Sequence, residues 1–241
     1  MVIESKENKK IKYINKLRTN KFMNEEHKFI VEGKHLVDEA NFSGILIETI
    51  STEELDYNVP NTLVTKNVME YISFLPSKSN IIGICKFIDE KEIGNKIIIL
   101  DNVQDPGNIG TIIRSANAFN FDTVVLSLDS VNKYNDKLIR ASQGMIFSMN
   151  VITKNIKEFI LKLKKENYLI CATDVVDGIK VNSIKGNDKV AIIMGNEGTG
   201  VSDEIKSLSD KNIYIPISKS CESLNVAVAS SIIMYELNKE D

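Results

Sequence analysis

The chain has 241 residues, of which 43% are hydrophobic and 26% charged, with a formal net charge of −3. That length gives one large domain or two small ones with real cores, and the composition excludes a disordered chain. With no apolar run near the roughly 18 residues a membrane span needs, and a polar Lys-rich start instead of a secretion signal, we expect a soluble cytoplasmic protein with no membrane partner.

The opening segment is basic, with Lys6, Lys9, Lys10, Lys12, Lys16, Arg18 and Lys21 set against Glu4 and Glu7. On charge alone it reads either as a phosphate-neutralising arm or as a solvated helix face. A first α/β block follows it. Phe29-Ile-Val reads as a strand broken by Gly33, and Lys34 to Ala40 as a helix with Leu36, Val37 and Ala40 on one side. Ile45-Leu-Ile, the stretch Leu63 to Thr65, a helix over Val68 to Leu75 and a strand over Ile81 to Ile88 continue the alternation. The polar stretch Asp89 to Asn95 marks the expected boundary, giving domains over 1–90 and 95–241.

The second block also alternates. Ile97 to Leu100 has the continuous apolar character of a buried parallel strand. After the turn Asp105-Pro-Gly, the residues Ile109, Ile112, Ile113, Ala116 and Phe119 recur at helical spacing. Strands are expected at Val124 to Leu126, near Val151, at Leu169 to Ala172, Val190 to Met194 and Ile213 to Ile217. Helices are expected around Lys137 to Ser142, over Ile156 to Lys165 and over Leu224 to Leu237, the last apolar almost all round and therefore expected to be buried. Cys85, Cys171 and Cys221 form no CxxC pair, and His27 and His35 are the only histidines, so neither a disulfide framework nor a metal site is expected.

Three segments carry chemistry. In Leu100 to Phe119 a strand runs through a tight turn into a helix, and Arg114 stands inside an otherwise apolar pattern. A buried arginine needs a partner, so it reads equally as a structural ion pair or as a phosphate clamp, with Glu197 a sensible partner. In Ile192 to Gly200 a strand enters a loop with Gly195, Gly198 and Gly200, an order unlike that of dinucleotide sites. In Ile215 to Ala229 a strand leads through a polar loop into the last helix, with Ser223 as a candidate N-cap and Asn225 in the first turn.

Together these segments resemble the three signature motifs of the SpoU (TrmH-like) family of SPOUT methyltransferases. The resemblance spans Ile97 to Leu237, and the block around Phe29 to Ala40 is similar to the ribosomal-protein-like substrate domain that often precedes that fold. It implies an α/β architecture with a parallel sheet and a C-terminal trefoil knot, preceded by a smaller α/β RNA-binding domain. It implies S-adenosylmethionine as the cofactor, a ribose 2′-hydroxyl as acceptor, and hence RNA as substrate. Ribosomal RNA is expected before tRNA because of the extra domain. It also implies a homodimer with the active site near the interface.

Carried onto this sequence, the resemblance assigns cofactor contacts to Leu126, Gly195, Asn196, Gly200, Ile215, Ile217 and Leu224. Arg114 is the expected catalytic residue. Guanidinium stays protonated, so we read it as a clamp on the adjacent phosphate rather than a base. Asn108, Glu197, Ser223 and Asn225 are expected to position Arg114 and the ribose. Lys219 stands where relatives often have glycine, and Met23, Gln143, Ser148 and Asn150 also depart from the pattern. These departures are expected to alter RNA recognition. The rival readings are a nucleotide-binding oxidoreductase, the same chemistry on tRNA, a non-catalytic RNA-binding or ribosome-assembly protein and an antibiotic-resistance methyltransferase.

Overall fold

The computed structural model describes residues 2–75, 77, 79–175 and 177–238. The chain forms two compact units, Met1–Asp89 and Glu90–Asp241.

The first unit does not begin with an arm. The basic segment folds into helix α1 (Lys9–Lys16), capped by Asn8, whose Oδ1 accepts from the Lys10 N–H, and into α2 (Asn20–Glu26). Ile11, Ile14 and Leu17 are fully buried, so the segment is one wall of the core and its lysines are the outer face of that wall. Then come β1 (Lys28–Glu32), α3 (Lys34–Phe42), β2 (Leu46–Ser51), β3 (Asn61–Leu63), α4 (Lys66–Ile72) and β4 (Ile81–Lys86). The sheet order is β1-β4-β2-β3, with β4 antiparallel to both neighbours and β2 parallel to β3. Helix α4 stops short of Leu75. Ser73 is extended, and the buried Glu32 carboxylate accepts from the Ser73 hydroxyl and the Phe74 N–H.

The second unit is built on β5 (Lys96–Leu100), α5 (Pro106–Ala118), β6 (Thr123–Ser127), α6 (Asp136–Ala141), β7 (Asn150–Lys154), α7 (Ile156–Lys165) and β8 (Leu169–Thr173). It continues with β9 (Ile179–Lys180), β10 (Val190–Met194), α8 (Asp203–Ser207), β11 (Lys211–Tyr214) and α9 (Val226–Asn238). Its seven strands run β7-β6-β5-β10-β8-β11-β9, and every pairing is parallel. The isoleucine run pairs in register with β10, from Ile97 opposite Ala191 to Leu100 opposite Met194, and all of it is buried. Helices α7 and α8 cover one face through Phe159, Ile160, Leu163 and Ile205. Helix α5 packs on α6 and α9. A Cβ at Gly110 would lie 2.5 Å from the Leu138 carbonyl oxygen, so only glycine permits the α5–α6 approach.

Several sequence expectations change. Strand β11 ends at Tyr214, because Pro216 has no N–H to continue a ladder, and Ile215 and Ile217 therefore lie in a loop. Strand β9 and the 3-10 turn Val181–Ile184 had no periodic signal. Helix α9 is not buried all round: Val228 and Tyr235, seven residues apart on one face, are 49% and 50% exposed. Two of the departures from the family pattern are packing choices. Met23 is buried, and so is Asn150, whose amide donates to the Lys91 carbonyl and the Thr123 hydroxyl. Cys85 and Cys171 are buried and Cys221 exposed; burial pushes the Cys171 thiol up to about 12. Among the described residues no helix is long and apolar enough to cross a membrane, and no cluster of His, Cys, Asp or Glu forms a metal site.

Candidate active site

Parallel sheets bind ligands beyond the carboxyl ends of their strands. Here a cavity of about 440 Å³ opens there, lined by the ends of β8 and β10, the Gly195–Gly200 loop, the Ile215–Leu224 loop and the start of α9. Its wall is apolar at Ile213, Ile215, Ile217, Leu224 and Ile233.

The glycine loop is a miniature hairpin. Asn196 and Gly200 exchange backbone hydrogen bonds of 3.1 and 2.9 Å, and Gly200 adopts φ +70°. A Cβ at Gly195 would lie 2.0 Å from the Gly200 carbonyl carbon, so only glycine closes the loop. The Asn196 side chain builds it: Oδ1 accepts from the Gly198 N–H at 2.8 Å, and Nδ2 donates to the Asn102 carbonyl at 2.8 Å. The buried Asp101 carboxylate accepts from the N–H and hydroxyl of Ser202, fixing the loop's far end.

Three side chains from distant parts of the sequence join into one line. Asn108 Nδ2 donates to Glu197 Oε1 at 2.9 Å, and Asn225 Nδ2 donates to Asn108 Oδ1 at 3.0 Å. Each has its own local anchor. Asn108 lies in the first turn of α5, whose N-cap Asp105 accepts from the Asn108 N–H at 2.9 Å and from Lys137 Nζ at 2.8 Å. The Lys137 contact, then the Asn108 N–H, holds the Asp105 carboxyl below its usual range. Asn225 is the cap of α9 in place of Ser223, because its Oδ1 accepts from the Ala227 and Val228 N–H groups. That leaves its amide to hold Asn108.

Of the expected residues, Gly195, Asn196, Glu197, Gly200, Ile215, Ile217, Ser223, Leu224 and Asn225 all line the cavity, with Asn108 bonded to two of them. Leu126 does not line it; it is buried in β6. Arg114 stands apart. It is exposed on α5, with no hydrogen bond or ion pair among the described residues, and the expected pairing with Glu197 is absent because Glu197 is held by Asn108. Six residues carry the helix about 240° past Asn108, which turns Arg114 away from the line. The sequence reading missed Thr173 at the end of β8, Asp174 and Val175 just after it, and Lys206 of α8, all of which line the cavity. A polar residue directly follows a buried strand there, but only the structure shows that this strand neighbours the glycine-loop strand.

A parallel sheet with this pocket and this side-chain line defines a class. The model of the SpoU rRNA Methylase family matches residues 95–235, and the chain belongs to that family. Residues 8–83 match an MRM3-like substrate binding domain. Among relatives, the chain is 34% identical, over 98% of both chains, to the 23S rRNA (guanosine(2553)-2′-O)-methyltransferase RlmP of Bacillus subtilis. Its fold is shared by an AdoMet-bound rRNA methyltransferase from Sinorhizobium meliloti, with a TM-score of 0.87, 24% identity and coverage of 98% and 97% of the two chains. It is shared too by the SpoU methyltransferase AviRb of Streptomyces viridochromogenes, with a TM-score of 0.84, 19% identity and coverage of 96% and 97%.

Proposed function

We propose that this chain transfers a methyl group from S-adenosylmethionine to a ribose 2′-oxygen of ribosomal RNA, as a homodimer in the cytoplasm, with its C-terminal segment threaded as a trefoil knot. The observation that carries the reading is the joining of Asn108, Glu197 and Asn225 into one hydrogen-bonded line at the edge of the cavity, in a chain of the SpoU family.

The residues present fit the cofactor. The cavity lies within the range of about 300–1,000 Å³ typical of small-molecule sites. Its apolar wall suits a purine, and the main chain of the Gly195–Gly200 and Ile215–Leu224 loops borders it closely enough to offer backbone donors and acceptors. When bound, S-adenosylmethionine supplies a methyl group on a sulfonium. Everything else falls to the protein. Asn108, clamped from both sides, holds Glu197 and Asn225 in fixed rotamers, and the line orients the ribose hydroxyl; much of the rate comes from such positioning. Arg114, whose side chain has no hydrogen bond or ion pair among the described residues, is available to an RNA phosphate.

The dimer reading rests on the uncovered face. Arg114 lies on the exposed side of α5, and α9 packed beside it presents Val228 and Tyr235. A second copy seated there buries both side chains and carries Arg114 of each copy towards the pocket of the other. A closed two-fold dimer is also the commonest assembly. The substrate unit and the RlmP relative support ribosomal RNA as the target.

The test is transfer of labelled methyl to ribosomal RNA and, separately, to tRNA, both lacking the modification, with the product checked for resistance to alkaline cleavage. Alkali-resistant label in ribosomal RNA is expected. Label in tRNA alone keeps the chemistry and overturns the substrate, and no label in either overturns the enzymatic reading.

A further inference from the structure

Two exposed aromatic rings of the first unit are each held beside a cation. Tyr71, in the last turn of α4, is 49% exposed, and Lys6 Nζ lies 5.2 Å from its ring centroid. Phe74, just past the helix, is 61% exposed, and the Arg18 guanidinium lies 4.0 Å from its ring centroid. The two residues are three apart, so their Cα atoms lie at most about 11 Å from one another.

The fold fixes Phe74 in its exposed position. Its N–H donates to the buried Glu32 carboxylate at 3.1 Å, which holds the main chain. Arg18 covers one face of the ring, and is itself fixed by its bond to the Ile72 carbonyl at 2.6 Å and its contact with Glu32 at 3.7 Å. The other face is left to solvent. A single exposed ring is ordinary. Phe42 is one, 91% exposed at the end of α3, with no cation over it among the described residues. Phe74 differs because its surroundings set it in place, and a pre-set ring loses little freedom on binding.

The neighbouring charges choose the partner. Lys6 and Arg18 belong to the basic opening segment, where Lys9, Lys16 and Lys21 are exposed, and α1 of that segment packs on α4. Aromatic faces set among cations suit single-stranded nucleic acid, because every base has a π-face and the cations follow the phosphates. An apolar protein surface seated there would desolvate those cations without pairing them.

We propose that Tyr71 and Phe74 form a stacking platform for unpaired bases of the RNA substrate. This rests on the RNA-substrate reading. Bases within a helix are already stacked on their neighbours, so the platform takes single-stranded or loop nucleotides.

Fluorescence anisotropy of the full chain tests it, with a labelled oligoadenylate about 12 nucleotides long and an A–U duplex of the same length. Phe74→Ala is expected to weaken single-strand binding by about fivefold to a hundredfold, the scale of one base stacked on a ring. Duplex affinity and the salt slope are expected to stay unchanged, because a neutral ring releases no counterions. Tyr71→Ala is expected to give a smaller loss of the same kind, and Phe42→Ala none. The chain has no tryptophan, so Phe74→Trp places a lone reporter on the platform. The oligoadenylate is expected to quench its emission, and the duplex to leave it unchanged. Unchanged single-strand affinity in Phe74→Ala overturns the proposal, and so does an equal loss on the duplex, or an unquenched Phe74→Trp chain saturated with oligoadenylate. A fall in sedimenting mass of Phe74→Ala at unchanged RNA affinity also overturns it, and makes the patch a contact between copies. A wild-type chain that binds neither RNA overturns the RNA-substrate reading, and this one with it. A wild-type chain that binds and methylates RNA, with Phe74→Ala indistinguishable from it, overturns this proposal alone.

Discussion

The two units spend their polar residues in opposite ways. In Met1–Asp89 several cations are held by local partners, while Lys9, Lys16 and Lys21 stay exposed. Arg18 stacks 4.0 Å over the Phe74 ring and donates to the Ile72 carbonyl, Lys10 pairs with Glu48, and Lys6 lies over Tyr71. In Glu90–Asp241 the strands all run one way, their middles are filled with isoleucine, and the polar residues collect at one end of the sheet. Asn108, Glu197 and Asn225 then hold one another at the mouth of a cavity. Parallel topology concentrates chemistry by geometry. A mixed sheet spreads charge over a surface, where it suits an extended polyanion.

The sharpest way to break this contrast is Arg114→Ala. The Arg114 side chain is exposed and makes no hydrogen bond or ion pair among the described residues, so the substitution should leave melting temperature and S-adenosylmethionine affinity unchanged. It should lower methyl transfer by roughly a hundredfold to a thousandfold, the range seen when one preorganised donor is removed. The dimer sharpens it. Mixing Arg114→Ala with Gly195→Ala, which cannot close the glycine loop, yields mixed dimers with one intact pocket served by an intact arginine. Partial recovery of activity on mixing is expected. No recovery would place Arg114 in the service of its own pocket.

The first unit is tested by separating packing from charge. Ile14 is fully buried on α1, and Ile14→Ala should destabilise the unit by about 2–5 kcal/mol. Hydrogen exchange should show protection lost across Met1–Asp89, with cofactor binding retained. Lys9, Lys16 and Lys21 are exposed, and replacing all three by Gln should barely change stability while weakening RNA binding and flattening its salt dependence. Removing Met1 to Lys21 confounds the two effects, because it takes away a wall of the core together with the charge. An unchanged salt slope in the triple variant would make those lysines bystanders.

What was legible in the sequence follows the same divide. The second unit's strands announce themselves because short continuous apolar runs such as Ile97 to Leu100 and Val190–Met194 read as buried parallel strands, and Asn108, Glu197 and Asn225 lie in the loops and helix starts around them. Helix α1 stayed undecided between an arm and a helix face because charge masked periodicity: Ile11, Ile14 and Leu17 have helical spacing, but lysines fill the positions between. The suggested pairing of Arg114 with Glu197 differs from the structure for another reason. Spacing along α5 fixes its angle relative to Asn108, but what an exposed side chain meets depends on RNA or a second copy, and neither is encoded in the local pattern. Asp174 went unseen because a single acid after a strand is common. Only the pairing of β8 with β10 gives it meaning.

The smallest effect bears on how the second unit holds its site. Asp105 caps α5 and sets the turn that carries Asn108. Asp105→Ala should cost about 1 kcal/mol, the usual worth of an N-cap, and lower the melting temperature by about 2–4 °C in a chain of this size. The side chain is 45% exposed, so its ion pair with Lys137 adds little beyond the cap. The pH dependence has a definite sign. The Asp105 carboxyl is held below the usual aspartate range, first by Lys137 and then by the Asn108 N–H, so the folded state favours the charged form. Its contribution is complete above the ordinary aspartate range and disappears as pH falls through the lowered one. The gap in stability between wild type and Asp105→Ala should therefore be constant from about pH 5 upwards and narrow below about pH 4. Asp105→Asn keeps an acceptor for the Asn108 N–H without the charge, so it should lose only a few tenths of a kcal/mol. Should methyl transfer fall in Asp105→Ala but not in Asp105→Asn, the cap matters because it aims Asn108. Equal loss in both would assign the effect to the Lys137 charge pair instead.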